Sequence, residues 1–125
     1  MRTAHPTLTP QELAIMKVIW RHKKTTVRDV YEALRETRPV AYTTVMTMMK
    51  ILEEKGHVKK ALVDRAHMYR SAKPRQQIVG AMVRDFLDRV FDGAPNSLLL
   101  HLAKDNQLTE KQRRIVKQLI EEVDE

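Results

Sequence analysis

The 125-residue sequence contains no cysteine, only three glycines and only 5% aromatic residues. Without cysteine it can form no disulfide framework, no thiolate metal site and no cysteine nucleophile. With so few glycines it has no glycine-rich phosphate loop and no nucleophile elbow, which argues against an enzyme. No apolar run reaches membrane-spanning length, and the N-terminus lacks an apolar signal core. We therefore expect a soluble, cytoplasmic protein with no catalytic residue and no membrane insertion.

The five histidines are scattered along the chain. No two of them stand four residues apart with a carboxylate at the spacing typical of metal ligands. We therefore expect neither a metal site nor another cofactor.

What the sequence does contain is basic charge, and most of it lies in the first part of the chain. The formal net charge is +7. Residues 1–75 include 16 Lys or Arg and 7 Asp or Glu, whereas residues 76–125 include 7 and 9. This asymmetry predicts a front half that binds a polyanion and a back half with another role. Charge alone is equally consistent with an ordinary basic surface.

A helix with two contrasting faces is predicted just after Pro39. Its apolar stripe has the spacing i, i+3, i+4, i+7 and consists of Val45, Met48, Met49 and Leu52. Apart from Met46, the other face is short and polar, and it consists of Thr43, Thr44, Thr47 and Lys50. Small hydroxyls and methyls allow a helix to lie close to base edges in the DNA major groove. We therefore expect a recognition helix in which Thr43, Thr44 and Thr47 read bases.

The elements around this helix predict a winged helix-turn-helix. Capping residues mark two preceding helices, at Thr9 and at Thr26, and Pro39 ends the second. After Gly56, two short strands are predicted at residues 58–63 and 67–71, around a turn at 64–66. The expected fold is mainly α, with a winged-helix DNA-binding domain at 1–74 and an all-helical domain at 75–125.

The back half is predicted to dimerise through its helices. Helical patterns run from about Pro74 to Phe91, from Ser97 to Ala103, and onward from a cap at Thr109. Their apolar faces are broader than a lone subdomain of about fifty residues can cover, so two copies are expected to bury them against each other. A domain interface within one chain is the alternative. The expected contact residues are Ile78, Met82, Phe86, Leu99, Leu102, Val116, Leu119 and Ile120.

Basic side chains of the front half are expected to contact the DNA backbone. Such contacts set affinity and register, not sequence preference. From the residues alone, the set consists of Arg28, Lys50, Lys55, Lys59, Lys60 and Arg65.

Four ordered runs resemble the penicillinase repressor family of bacteria, the BlaI/MecI-type regulators, over roughly Leu8 to Val123. They are LTPQELAIMKVIW, TTVRDVYEAL, VAYTTVMTMMKILEEKGHV and DRAHMYR. The resemblance implies a homodimer that binds a palindromic operator in double-stranded DNA and represses β-lactamase, penicillin-binding-protein or related genes. It also implies release by proteolysis in the dimerisation domain, through a membrane sensor protease. On matching positions, Thr43, Thr44 and Thr47 would face bases, Tyr42, Lys50 and Lys55 the backbone, and Arg65 the wing tip.

The chain departs from the family pattern at two places. Leu100-His101-Leu102 stands where the cleaved bond is expected, and the wing reads Asp64-Arg65 where Gly-Arg is common. The absence of cysteine excludes the copper-responsive branch, which uses paired cysteines. Two other functions stay open, a nonspecific architectural DNA-binding protein and a protein-interaction module without sequence-specific DNA binding.

Overall fold

The computed structural model describes residues 8–123, which form six helices and one two-stranded sheet. In chain order the elements are α1 (Pro10–His22), α2 (Val27–Arg35), α3 (Tyr42–Glu54), β1 (Val58–Val63), β2 (Ala66–Ser71), α4 (Arg75–Phe91), α5 (Pro95–Ala103) and α6 (Glu110–Val123). The chain divides into two compact units, whose boundary falls within α4 between Ala81 and Met82. Three helices, a hairpin and three further helices confirm the predicted fold class. The domain boundary after residue 74 stays a prediction.

The first two helices begin where the sequence predicts, because a capping box fixes each N-terminus. The Thr9 hydroxyl accepts a hydrogen bond from the Glu12 amide at 3.2 Å, and the Glu12 carboxylate accepts one from the Thr9 amide at 2.9 Å. Thr26 and Asp29 form the same pair of bonds, at 3.0 and 3.3 Å. These local bonds satisfy backbone donors that the first turn of a helix leaves unpaired.

The core of the first unit lies between its three helices and the base of the hairpin. Eight apolar side chains in it are at most 2% exposed: Ile15, Met16, Ile19, Val30, Val45, Met49, Leu52 and Val58. The predicted apolar stripe of α3 is confirmed at Val45, Met49 and Leu52, whereas Met48 is only half-buried. Burial of this stripe fixes the rotation of α3 and turns its opposite face to solvent.

A two-residue turn connects the strands of the hairpin. Val63 pairs with Ala66, so only Asp64 and Arg65 lie between the strands. Both have positive φ, 50° and 69°, as in a type I′ turn, whose twist matches that of the strands it joins. The sequence-based placement of Ala66 in the turn was therefore wrong by one residue.

The hairpin is attached to the loop after α1 by backbone hydrogen bonds. The Thr25 amide donates to the Tyr69 carbonyl at 3.0 Å, and the Tyr69 amide donates to the Thr25 carbonyl at 2.7 Å. Thr25 and Tyr69 are both buried. The wing therefore has a third, one-residue strand position that holds its base against the helices.

A buried ion pair joins the start of α1 to the end of α3. The Lys55 ammonium lies 2.8 Å from a Glu12 carboxylate oxygen, and the Glu12 side chain is only 3% exposed. Burial by itself would raise the pKa of the Glu12 carboxyl, but hydrogen bonds from Lys55 and Thr9 hold that pKa below its ordinary value of 4.5. The carboxylate is thus ionised in the folded chain at neutral pH.

We expect Glu12→Gln to lower the free energy of unfolding by about 1–2 kcal/mol at pH 7, because glutamine keeps the cap but not the charge-assisted bond. The native protein should lose stability as the pH falls through the lowered pKa of Glu12, since the unfolded chain binds that proton at higher pH. This contribution to the acid dependence should vanish in the variant. Urea denaturation between pH 3 and 7 measures both effects.

The matched control is Glu53→Gln, which removes an ion pair with Lys60 at 3.4 Å whose side chains are both about one-third exposed. It should change stability by no more than about 0.5 kcal/mol. Equal losses for the two variants would show that the Glu12 pair contributes no more than a surface pair.

The second unit contains the rest of α4 together with α5 and α6. Thr109 and Gln112 form the predicted capping box of α6, with bonds of 3.1 and 2.9 Å. Helix α5 begins at Pro95, two residues before the predicted Ser97. The helix starts at this proline because proline fits the first turn of a helix, where its missing amide hydrogen is not needed.

Candidate nucleic-acid interface

Four exposed side chains follow one line along α3, opposite its buried stripe. They are Thr43, Met46, Thr47 and Lys50. Their spacing of i, i+3, i+4, i+7 places them on one face of the helix. The structure therefore brings together two of the three threonines predicted to read bases, along with Lys50, on a surface that can lie in a DNA major groove.

The third predicted base-reading residue, Thr44, is exposed at the side of this line. It borders a cleft lined also by Gln11 of α1, by Arg38 and Pro39 before α3, and by Met48. Thr44 therefore lies at the margin of the exposed face, and its contact with a base stays a prediction.

The Thr47 hydroxyl is partly occupied by its own helix. It donates a hydrogen bond of 3.0 Å to the Thr43 carbonyl oxygen, one turn earlier. A hydroxyl that donates in this way keeps only its acceptor capacity for another group. Thr47 is therefore suited to accept from an amino group of adenine or cytosine in the major groove.

Two residues predicted to contact the backbone, Arg28 and Tyr42, meet at the N-terminal ends of α2 and α3. The Arg28 guanidinium lies over the Tyr42 ring at 5.4 Å, and the Tyr42 ring packs edge-on against Tyr31 with centroids 5.4 Å apart. Arg28 also pairs with Glu32 at 3.4 Å in an exposed setting. This cluster orders Tyr42 at the start of the exposed face of α3.

Two lysines from the predicted backbone set are instead paired with carboxylates of the same chain. Lys55 is bound to the buried Glu12, and Lys60 lies 3.4 Å from Glu53. The charges of both lysines are therefore partly neutralised within the chain itself. The structure does not bring Lys55 into the exposed line on α3, and its place as a phosphate contact stays a prediction.

The outer face of the hairpin carries a basic cluster that the sequence reveals only in part. Lys59 and Arg70 are paired across β1 and β2, and both line a shallow cavity of ≈270 Å³ together with Lys24 and Met68. Lys24 is not among the cations that the sequence predicts to contact the backbone. The bridge between Thr25 and Tyr69 of β2 holds the neighbouring Lys24 beside the wing, and no local sequence pattern predicts this contact.

Arg65 stands at the tip of the wing, in an exposed turn with positive φ. We expect Arg65→Gly to raise the free energy of unfolding by roughly 0.5 kcal/mol, because glycine adopts positive φ without a clash of Cβ. The same change should weaken DNA binding to all sequences alike and lower the steepness of its salt dependence, since a phosphate contact is lost. Thermal melts and fluorescence anisotropy at several salt concentrations measure the two effects.

Arg65→Lys is the control for that variant, since it keeps the charge and the backbone strain. It should retain most of the affinity. A glycine variant with an unchanged salt slope would contradict the placement of Arg65 at a phosphate.

The residues predicted to form the dimer contact differ in how much surface they leave for a partner. Ile78 and Val116 are buried within the single chain. Met82, Leu99, Leu102 and Ile120 are half-buried, whereas Phe86 and Leu119 are 41% and 42% exposed. The predicted contact set leaves out five further exposed apolar side chains of the second unit: Val83, Val90, Leu100, Ile115 and Val123. The contact set as a whole stays a prediction. The apolar surface that a second copy could cover is provided mainly by the exposed residues.

The sequence of this chain matches the family model for the penicillinase repressor over residues 8–122. The chain belongs to the penicillinase repressor family. Members of this family are transcriptional regulators and not enzymes. The family membership inferred from the four sequence runs is confirmed.

Two relatives and one solved structure show how far this family likeness extends. The transcriptional regulator BlaI of Mycobacterium tuberculosis is 38% identical over 95 residues, which cover 74% of this chain and 69% of that protein. The penicillinase repressor of Bacillus licheniformis is 27% identical over 117 residues, covering 94% and 91%. The solution structure of monomeric B. licheniformis BlaI with the blaP half-operator is 27% identical. It has a TM-score of 0.52 and covers 58% of this chain and 89% of that one.

Within residues 8–123, no helix combines the length and the apolar character needed to span a bilayer.

Proposed function

We propose that this chain is a homodimeric transcriptional repressor that binds a palindromic operator through its winged helix. In this proposal Thr43, Thr44 and Thr47 contact bases, while Arg28, Tyr42, Lys50, Lys55, Lys59, Lys60 and Arg65 contact the backbone. The half-sites should lie about 34–36 Å apart, one helical turn of DNA, or a multiple of that distance. The controlled genes would be of the β-lactamase or penicillin-binding-protein type or related to them.

The observation that carries this proposal is the exposed line on α3 beside a basic hairpin. The face opposite a buried stripe is free to enter a groove, and cations flank it at Lys50 and at the wing. The B. licheniformis relative, whose structure with a half-operator was solved as a monomer, supports the use of one chain for each half-site. One winged-helix unit alone discriminates only weakly between DNA sequences, since a good base contact is worth about 1–3 kcal/mol.

We further propose that the repressor acts in the cytoplasm and leaves its operator when an inducing signal weakens the second unit. Proteolysis by a membrane sensor system is one such signal. The segment Leu100-His101-Leu102 lies inside α5, so a protease must first unwind that helix to reach a bond there.

The sharpest test compares a duplex selected from a random pool with unselected duplexes. The native chain should prefer the selected duplex by at least about a thousand-fold. Replacing Thr43 and Thr47 together by alanine should remove much of this preference, by roughly ten-fold or more for each half-site. Lys50→Ala is the matched control, because it should weaken both kinds of duplex alike.

The outcomes separate this function from its rivals. Strong binding without preference for any duplex would indicate an architectural protein. No DNA binding at low salt would leave a protein-interaction module. Either result overturns the proposed function.

A further inference from the structure

The exposed face of α3 has an apolar centre that the predicted base-reading threonines do not explain. The Met46 side chain is 50% exposed. The other methionines and the leucine of α3 lie on its apolar stripe, where Met49 and Leu52 are buried and Met48 is half-buried. It lies between Thr43 and Lys50 on the same line. By helix geometry it is about 4.5 Å along the axis from Thr43 and about 6 Å from Lys50.

The side chains beside Met46 make this centre more apolar than the sequence suggests. The neighbouring Thr47 uses its hydroxyl hydrogen on the Thr43 carbonyl, at 3.0 Å. Lys50 begins the next turn. Met46 is thus the longest uncharged side chain on the face, and three rotatable bonds let its thioether reach further than a threonine and adapt to the surface below.

From these observations we infer that Met46 is a specificity-determining residue that selects thymine through its C5 methyl group. Most of what a base pair presents in the major groove is a hydrogen-bond donor or acceptor, and the thymine methyl is its apolar group. An apolar side chain at the centre of the reading face matches that group and gains nothing from the polar edges of the other bases. The inference rests on the proposed function, since it requires that α3 enter the groove.

The experiment replaces each thymine of the selected operator, one at a time in both half-sites, by uracil, which lacks only the methyl. Burying one methyl-sized group is worth roughly 0.8 kcal/mol. The affinity of the native chain for the operator should therefore fall about four-fold when one half-site is changed and about fifteen-fold when both are. Met46→Ala should bind the thymine operator more weakly by the same factor. It should also become indifferent to uracil at that position.

Three controls make the result specific to the side chain. Met46→Leu keeps an apolar group and should retain most of the preference for thymine, whereas the equally long Met46→Gln should lose it. Lys50→Ala should lower the affinity for thymine and uracil duplexes equally. Because Met46 is half-exposed, circular dichroism melts of its variants should stay near those of the native chain.

The inference and the proposed function fail in different ways. A native chain that prefers the operator over random duplexes but is indifferent to every thymine methyl overturns the role of Met46 alone. The same holds if Met46→Ala keeps the full thymine preference. A native chain without any operator preference overturns both.

Discussion

Replacing Leu119 by glutamate should lower operator affinity by about a hundred-fold or more, because it should separate the two DNA-binding units. Leu119 is 42% exposed on α6, and apolar side chains on the same helix, Ile115 and Val123, are exposed as well. In a dimer that buries them, the glutamate would place an unpaired charge in an apolar contact. Each protomer would then bind a half-site alone, without the gain of about 10²–10⁴ that linked sites provide.

Sedimentation velocity and anisotropy titrations on the full chain measure both parts of this prediction. The variant should sediment as a monomer and bind a single half-site as well as the native chain does. Gln118→Glu adds the same charge at the neighbouring exposed position and should leave both properties unchanged. A Leu119→Glu protein that stays dimeric, or a monomeric variant that binds the operator at full strength, would contradict the coupling of dimerisation to affinity.

The features that the sequence predicted correctly are those set by residues close together in the chain. A capping box needs only two residues three positions apart, and the boxes at Thr9 and Thr26 form as expected. The two faces of α3 follow from its helical period, so the burial of Val45 and the exposure of Thr43 were both predictable.

The features that sequence reasoning missed depend on contacts between distant parts of the chain. Glu12 and Lys55 are 43 positions apart, and nothing in the local pattern shows that this lysine neutralises a buried carboxylate. Lys24 joins Arg70 beside the wing only because the loop after α1 pairs with β2. Charge and spacing identify a basic region, but they do not show which cations are already paired.

Helix α4 shows the same limit for apolar residues. An amphipathic pattern marks Ile78 and Phe86 as similar positions of α4, yet Ile78 is buried and Phe86 is 41% exposed. Helix packing decides which side of a wide apolar face is covered within one chain. Only the structure separates the residues that stabilise one chain from those free for a second copy.

Raising the salt concentration should weaken operator binding more than almost any single substitution. On α3 and the hairpin, four Lys or Arg side chains are exposed and form no ion pair with another residue within 8–123: Lys50, Lys59, Arg65 and Arg70. If each protomer neutralises about four phosphates, the logarithm of affinity should fall with the logarithm of salt at a slope near −7. Affinity should then drop about ten-thousand-fold between roughly 50 and 200 mM salt.

Anisotropy titrations at four or five salt concentrations give this slope directly. Lys50→Ala should make it shallower by about 2, one contact for each protomer of the dimer. Lys117→Ala removes an exposed lysine from α6 and should not alter it. A native slope shallower than about −3 would mean that fewer than two phosphates are neutralised per protomer. The basic wing would then lie away from the DNA, and affinity would have to come from the contacts of α3 alone.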